Sequence, residues 1–292
     1  MHMGDKQIIK GIGGFYYVKT ADAVLEAKAK GIFRKIGMTP LAGDYVELEQ
    51  SNGDYVISEI HERKNSFLRP AAANIDVFFL VVSTTDPAPN LLVLDKLLAI
   101  AEEKAVMPVI LLTKGDILPD LPFAALYRNA GFRVIDVRED FEAAKREILK
   151  MMEGRLSLFA GNSGVGKTTL LNDFFGYSLA TAETSKKLGR GRHTTRAVEI
   201  FEAGNGYVAD SPGFSAVDIE RAEYIPKEEL QNLFIDISPY VSECQFRGCS
   251  HRTEKGCAVI EAVENGAIQR SRYSSYRELY ERASKISEWE QR

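Results

Sequence analysis

Residues 156–175 read LSLFAGNSGVGKTTLLNDFF, and this stretch predicts a strand, a glycine-rich turn and a helix in succession. Its first five residues are mostly apolar and predict a buried strand, and residues 161–168 match G-x-x-x-x-G-K-[ST] at every fixed position. Leu170, Leu171 and Phe174 predict a helix that begins directly after the glycines. A strand, a glycine-rich turn and a helix in this order are typical of a loop that binds phosphate through backbone N–H groups and the positive end of a helix.

The predicted loop gives individual residues distinct roles. Lys167 is expected to reach the β- and γ-phosphates of a nucleotide, and the Thr168 hydroxyl is expected to bind Mg²⁺. The alternative is a chance glycine-rich turn, and the flanking strand and helix argue against it. The predicted nucleotide-binding residues of this segment are Gly161, Asn162, Ser163, Gly164, Val165, Gly166, Lys167, Thr168 and Thr169.

Apolar runs on both sides of the loop predict a larger sheet. Asn90 can cap an amphipathic helix that extends to about residue 104. Strands that alternate with such helices predict a mostly parallel sheet with helices on both faces. The predicted strands cover residues 75–83, 109–113, 132–137, 156–160, 198–201 and 207–209.

A D-x-x-G sequence follows the last of these strands. It predicts that Asp210 joins the magnesium shell and that the Gly213 N–H contacts the γ-phosphate. Thr194 and Thr195 lie between the two motifs, and one of them is expected to complete the magnesium shell, although the sequence does not decide which. The alternative for residues 189–196 is a solvated basic loop.

A guanine-reading motif precedes the phosphate loop. Thr113, Lys114, Gly115 and Asp116 resemble the [NT]-K-x-D motif, in which one carboxylate accepts the N1–H and N2 amine of guanine. Adenine offers no such donor pair, so ATP would leave this carboxylate unpaired at a cost of roughly 1–3 kcal/mol. The order of the motifs along the chain is therefore permuted. Loops at one edge of a sheet can form the same site in either order.

Overall composition limits the function classes. The chain has 292 residues and a formal net charge of −4, which argues against a polycation that coats nucleic acid. No apolar run approaches the roughly 20 residues that span a bilayer, and the first six residues lack the apolar core of a signal peptide. We therefore expect a cytoplasmic protein with no membrane association.

The three cysteines of the chain are clustered with a histidine. Cys244, Cys249, His251 and Cys257 offer three thiolates and one imidazole, the ligand set of a closed, structural Zn²⁺ site. We expect one zinc ion per chain. Reduced free thiols and an iron–sulfur cluster are the alternatives.

The segments suggest three domains. Short alternating strands within residues 1–70 predict a small β barrel such as the OB-fold, which often binds oligonucleotides, or a small β domain without a ligand. Residues 71–222 hold the nucleotide motifs, and residues 223–292 are expected to form a helical zinc-binding domain. Tyr273, Tyr276 and Tyr280 lie near one face of the last predicted helix.

Together these motifs resemble the family of ribosome small-subunit-dependent GTPase A (RsgA) over essentially the whole chain. The resemblance implies an OB-fold, a circularly permuted GTPase domain, a zinc domain and a role in late maturation of the small ribosomal subunit. It implies that the subunit and its rRNA are partners and that the subunit stimulates hydrolysis of GTP to GDP; we expect a monomer. The residues that carry it are Gly13 to Tyr16, Arg69-Pro70, Asn74 to Asp76, Gly161 to Leu171, Gly191 to Thr195, Asp210 to Phe214, Cys244 to Cys257 and Arg272-Tyr273.

The sequence departs from this family at two positions. Arg138-Glu139 stands where the family usually has a Ser-Ala-like turn that contacts the base, and Gly115 replaces an apolar residue of the base motif. The basic residues 186–196 and the Arg/Tyr-rich C-terminal segment could add phosphate contacts and stacking with RNA, whereas core packing is the alternative for the three tyrosines.

The group that positions the attacking water is not the usual one. Many GTPases use a glutamine directly after D-x-x-G, but this chain has Phe214 there. We hypothesise that His193 of the switch loop takes this role when a partner orders the loop. An RNA contact or a solvated position is the alternative for His193.

Two other function classes are compatible with parts of the pattern. A passive RNA-binding adaptor would use the nucleotide only to stabilise its fold. A P-loop ATPase or kinase would carry the T-K-x-D sequence by coincidence.

Overall fold

The computed structural model of the protein describes residues 6–51, 53–114, 121–176, 198–210 and 216–286, with the backbone alone at residues 121, 122 and 210. It contains the three parts that the sequence predicts: an N-terminal barrel, a mostly parallel sheet covered by helices, and a helical region that holds the cysteine cluster. Within the described ranges, no helix has both the length and the apolar composition that a membrane crossing requires.

The N-terminal strands form an OB-type barrel. They are arranged in the order β1-β2-β3-β5-β4, with β3 and β5 parallel. The barrel closes where Gln7 pairs with Tyr45 and the Val46 N–H donates to the Lys6 carbonyl at 2.8 Å. Ile8, Val18 and their neighbours fill its interior. The elements are β1 (Gln7–Ile12), β2 (Phe15–Lys19), β3 (Val24–Ala29), α1 (Gly31–Lys35), β4 (Val46–Ser51) and β5 (Asp54–Ile60).

The central region holds a sheet in the order β10-β9-β8-β11-β13-β12, preceded by a short antiparallel pair, β6 and β7. Its strands are parallel except for β12, which runs antiparallel to β13. The strands are β6 (Ser66–Phe67), β7 (Ala72–Ala73), β8 (Val77–Ser83), β9 (Met107–Thr113), β10 (Arg133–Asp136), β11 (Leu156–Gly161), β12 (Glu199–Ala203) and β13 (Gly206–Asp210).

Helices cover this sheet on both faces, because successive side chains of a strand point to opposite sides. Phe78 of β8 belongs to the same apolar core as Leu97 of α2, whereas Phe79 belongs to the core that contains Ile148 of α4. The helix predicted to begin after Asn90 is confirmed, with the Asn90 side chain accepting from the Val93 N–H at 3.2 Å. The helices are α2 (Leu91–Glu103), α3 (Leu121–Asn129), α4 (Phe141–Met152) and α5 (Lys167–Phe175).

The barrel and the central sheet are hydrogen-bonded to each other. β1 pairs antiparallel with β12 at Lys10 and Glu199, so the strands form one eleven-stranded sheet. The ammonium of Lys10 also lies 2.8 Å from the Glu199 carboxylate. No pattern in the sequence predicts this junction.

The C-terminal helices pack on the α2 side of the sheet. Leu230, Phe234, Val259 and Tyr276 share the core that contains α2. Tyr276 is 1% exposed, so core packing explains this tyrosine better than stacking with RNA. The helices are α6 (Ala216–Ala222), α7 (Lys227–Leu233), α8 (Ser238–Val241), α9 (Ala258–Glu264) and α10 (Arg270–Ser284).

A buried cluster of charges joins this region to the sheet domain. The Arg272 guanidinium, 1% exposed, donates to Asp95 of α2 at 2.7 Å and to Asp236 at 2.8 Å. It also lies 4.6 Å from the centre of the Phe234 ring. Within the Arg/Tyr-rich C-terminal segment, the charge of Arg272 is therefore buried and paired inside the protein.

Replacing Arg272 should destabilise the fold strongly. In Arg272→Ala the Asp95 carboxylate stays buried without its cation, which typically costs about 3–5 kcal/mol. Arg282→Ala is a matched control, since Arg282 forms an exposed pair with Glu278 and should change stability by less than about 1 kcal/mol. Denaturant unfolding of both variants tests this, and equal midpoints would contradict it.

Candidate nucleotide site and metal cluster

The predicted phosphate loop connects β11 to α5 at the carboxyl edge of the sheet. Gly164 and Gly166 adopt φ angles of 87° and 91°, a left-handed conformation that favours glycine. Gly161 permits a close approach, because a Cβ at this position would lie 2.8 Å from the Val81 carbonyl oxygen of β8. The glycines therefore fix the path of the loop.

The helix that follows presents its N-terminus to the loop. Gly166 is the N-cap of α5 and its carbonyl accepts from the Leu170 N–H at 2.9 Å. A glycine has no side chain to cap the first N–H groups of the helix, which suits them to bind an anion. Lys167 and Thr168 occupy the first turn and are half-buried, and Thr169 is exposed.

The base motif meets the phosphate loop at Thr113. Thr113 ends β9, and its hydroxyl donates to the Val165 carbonyl of the loop at 2.6 Å. Both residues are buried. Two segments that lie about fifty residues apart in the chain are thus held in direct contact.

Lys114 is hydrogen-bonded to the loop that follows β8. It adopts a φ of 57°, and its ammonium donates to the Asp86 carbonyl at 3.0 Å. The Lys114 carbonyl accepts from the Thr85 hydroxyl, also at 3.0 Å. A Cβ at Gly164 would lie 3.7 Å from Pro87, so this loop also borders the phosphate loop.

The parallel register explains why separate motifs meet. Thr113 is paired with Ser83, and Gly161 is paired with Val81, so β8, β9 and β11 end at one edge. β13 runs parallel to β11 and ends with Asp210. The predicted magnesium ligand is therefore the last residue of the strand next to β11, which leads into the phosphate loop.

The side chain of Arg138 connects the end of β10 to the end of β8. Its guanidinium binds the Asp136 carboxylate through Nε at 2.6 Å and Nη2 at 2.5 Å, and Nη1 donates to the Thr84 hydroxyl at 2.8 Å. Burial alone would raise the pKa of Asp136, but the hydrogen bonds from Arg138 outweigh it and hold this pKa below its usual value. Since β9 lies between β10 and β8, the side chain of Arg138 crosses the end of the strand that carries Thr113.

Several predicted site residues are not among those that the structure describes. Gly115, Asp116, His193, Thr194, Thr195 and Gly213 lie outside the described ranges, and Asp210 is described by its backbone only. Their roles remain predictions.

The cysteine cluster forms a second candidate site. The ligand atoms of Cys244, Cys249, His251 and Cys257 all lie within 4.8 Å of one another. The sulfurs of Cys244 and Cys257 are 3.9 Å apart, and His251 Nδ1 lies 3.4 Å and 3.3 Å from them. A tetrahedral zinc ion would separate two sulfurs by roughly 3.8 Å and a sulfur from a nitrogen by roughly 3.5 Å, so the arrangement fits this metal.

The loop that carries the histidine is held by its own hydrogen bonds. His251 is fully buried with a φ of 58°. The Glu254 carboxylate accepts from the backbone N–H groups of Ser250, Arg252 and Thr253. Burial would raise the pKa of Glu254, but the hydrogen bond from the Ser250 hydroxyl, together with these backbone bonds, holds it well below its usual range. The loop is therefore shaped independently of the four ligand atoms.

Electrostatics at the ligands favour neutral groups. Burial raises the pKa of the Cys249 thiol to about 12 and lowers the pKa of His251. A neutral imidazole can bind a metal directly, whereas the thiol must release its proton.

Comparison with known proteins agrees with this geometry. Residues 60–220 match the RsgA GTPase family and residues 6–64 match the RsgA N-terminal domain. The small ribosomal subunit biogenesis GTPase RsgA of Streptococcus pneumoniae serotype 4 is 40% identical over 291 residues, covering 96% of this chain and 98% of that protein. The protein of the same name from Geobacillus sp. strain WCH70 is 41% identical and covers 94% and 95%.

Solved structures show the same fold. YloQ, a circularly permuted GTPase, has a TM-score of 0.74 and 36% identity, covering 97% of this chain and 96% of its own. YjeQ from Thermotoga maritima has a TM-score of 0.77 and 27% identity, covering 97% and 99%.

The contact between Thr113 and Val165 should support nucleotide binding. Thr113→Val keeps the shape of the side chain but leaves the Val165 carbonyl without this donor, so GDP affinity should fall on the order of tenfold. Titration with a fluorescent GDP analogue measures the change. Thr39→Val, at an exposed position in the barrel region, is the control, and unchanged affinity in Thr113→Val would refute the prediction.

Proposed function

The chain belongs to the RsgA family of GTPases, and from this membership we propose that it binds the small ribosomal subunit and acts in its late maturation. It is a GTP hydrolase, and we propose that the subunit stimulates hydrolysis of GTP to GDP and phosphate. The names of the relatives from Streptococcus pneumoniae and Geobacillus support the role in subunit biogenesis. The observation that carries the nucleotide assignment is the hydrogen bond from Thr113 to Val165, which joins the base motif to the phosphate loop.

We assign the nucleotide contacts as follows. Asp116 reads guanine, with Thr113, Lys114 and Gly115 forming the rest of the motif. Residues 161–169 cradle the phosphates. This assignment explains a preference for GTP over ATP, because only guanine presents two adjacent donors to one carboxylate.

Magnesium would be held with GTP by Thr168 and Asp210, and either Thr194 or Thr195 would join them when the γ-phosphate is present. When bound, the ion neutralises charge that develops on the β- and γ-phosphates. The Gly213 N–H would contact the γ-phosphate.

Zinc is the proposed occupant of the cysteine cluster, with one ion per chain. Its four protein ligands would leave no position for water, so its role would be structural. The fit of the sulfur and nitrogen separations to a tetrahedron supports this assignment over free thiols.

We propose that two parts face RNA: the barrel, residues 1–70, and the zinc-binding region, residues 223–292. Along the chain they precede and follow the GTPase domain, residues 71–222. The OB-type topology supports the first assignment, since this fold often binds oligonucleotides. We propose that the protein works as a monomer in the cytoplasm, where small subunits mature.

Phosphate release tests the proposal directly. GTP turnover should rise steeply when purified small subunits are added, since partner-completed GTPase sites gain roughly 10³–10⁵ in rate, and ATP should not be hydrolysed. A Lys167→Ala protein controls for contaminating phosphatases. GTP binding without stimulated release would instead indicate a passive RNA-binding adaptor, and equal turnover of ATP would indicate a P-loop ATPase.

We assign the positioning of the attacking water to His193, because Phe214 offers no polar group at the usual position. His193→Ala should lower subunit-stimulated turnover about 10²-fold or more and leave GDP affinity unchanged. Glu142→Ala, at an exposed position on α4 of the GTPase domain, is the control and should keep wild-type stimulated turnover. Wild-type stimulated turnover in His193→Ala would remove the catalytic assignment.

A further inference from the structure

The histidine of the cysteine cluster has a partner outside the cluster. His251 Nε2 lies 2.9 Å from Oε1 of Gln231, and Nδ1 on the other side of the ring faces the sulfurs of Cys244 and Cys257. The two ring nitrogens therefore have different surroundings: one is directed to the metal position and the other to a side-chain amide.

This arrangement selects one tautomer of the imidazole. A neutral imidazole carries one N–H and one lone pair, and only the nitrogen with the lone pair can bind a metal. When the amide oxygen of Gln231 accepts from Nε2–H, the lone pair resides on Nδ1, which faces the sulfurs of Cys244 and Cys257. The opposite amide orientation would require the proton on Nδ1, where it would block the metal.

We propose that Gln231 is a positioning residue for the metal centre, which fixes the ring orientation and the tautomer of His251. The proposal rests on zinc as the occupant of the cluster. Gln231 lies on α7, between the buried Leu230 and the exposed Asn232. The apolar core anchors this helix through Leu230, so the amide is held at a defined place.

Other groups fix the backbone of His251. An effect of Gln231 on the imidazole ring can therefore be distinguished from an effect on the loop. Its carbonyl accepts from the Tyr273 hydroxyl at 2.8 Å, and Glu254 shapes the loop around it. Removing the Gln231 amide should therefore release the ring and not the loop. α7 also contacts α2 and α10, so the same helix joins the metal centre to the sheet domain.

Zinc affinity of the full-length protein tests the proposal. In competition with a chromophoric chelator, Gln231→Leu should bind zinc about 10–100-fold more weakly, the usual loss when an outer partner of a ligand is removed. Gln231→Glu keeps an acceptor facing Nε2 and should stay close to wild type. Asn232→Leu changes an exposed amide on the same helix and is the matched control, with wild-type affinity expected.

The outcomes separate the possible roles. Wild-type affinity in Gln231→Leu would overturn the proposal, and so would equal losses in the Leu and Glu variants, since these would indicate packing instead of hydrogen bonding. If wild type itself binds no zinc, the proposed cofactor fails as well. If Gln231→Leu does not fold, ¹⁵N NMR of the zinc-loaded wild type decides: protonated Nε2 on His251 is expected, and protonated Nδ1 would overturn the proposal.

Discussion

The contact between Thr113 and Val165 is the constraint on which the nucleotide site depends. A hydroxyl at the end of one parallel strand binds a carbonyl within the turn that follows another, and both groups are buried. This bond is possible because β8 lies between β9 and β11 and all three end at the same edge. Spatial proximity at that edge, and not the order of the motifs along the chain, determines which residues form the site.

Buried polar contacts also connect the C-terminal helices to the sheet domain and to the metal cluster. Arg272 of the last helix binds Asp95 of α2 and Asp236 near α7, while Gln231 of α7 binds the histidine of the metal cluster. A shift of these helices would leave a buried ion or amide without its partner, which costs free energy.

Much of the fold followed from the sequence, and the failures have physical causes. The spacing of apolar residues and the continuous apolar runs predicted the strands and the helix after Asn90. The clustering of the three cysteines with His251 predicted a four-ligand site. The junction of β1 with β12 was missed because hydrogen bonds between distant backbones leave no pattern in either strand. The hydrogen bonds of Arg138 were not predicted, because its partners, Asp136 and Thr84, are common residues that only the sheet order brings together. The contact between Gln231 and His251 was not predicted, because only the fold brings these two residues together.

The eleven-stranded sheet has a mechanical consequence. β12 is hydrogen-bonded on one side to β13, which ends at Asp210, and on the other side to β1 of the barrel. Ladder hydrogen bonds resist sliding, so the position of this hairpin constrains the barrel edge that carries β1. The bridge between Ala42 and Ala72 and the pairing of Lys19 with Glu202 also connect the barrel to the central region, so the orientation of the barrel is tied to the strand that ends at Asp210.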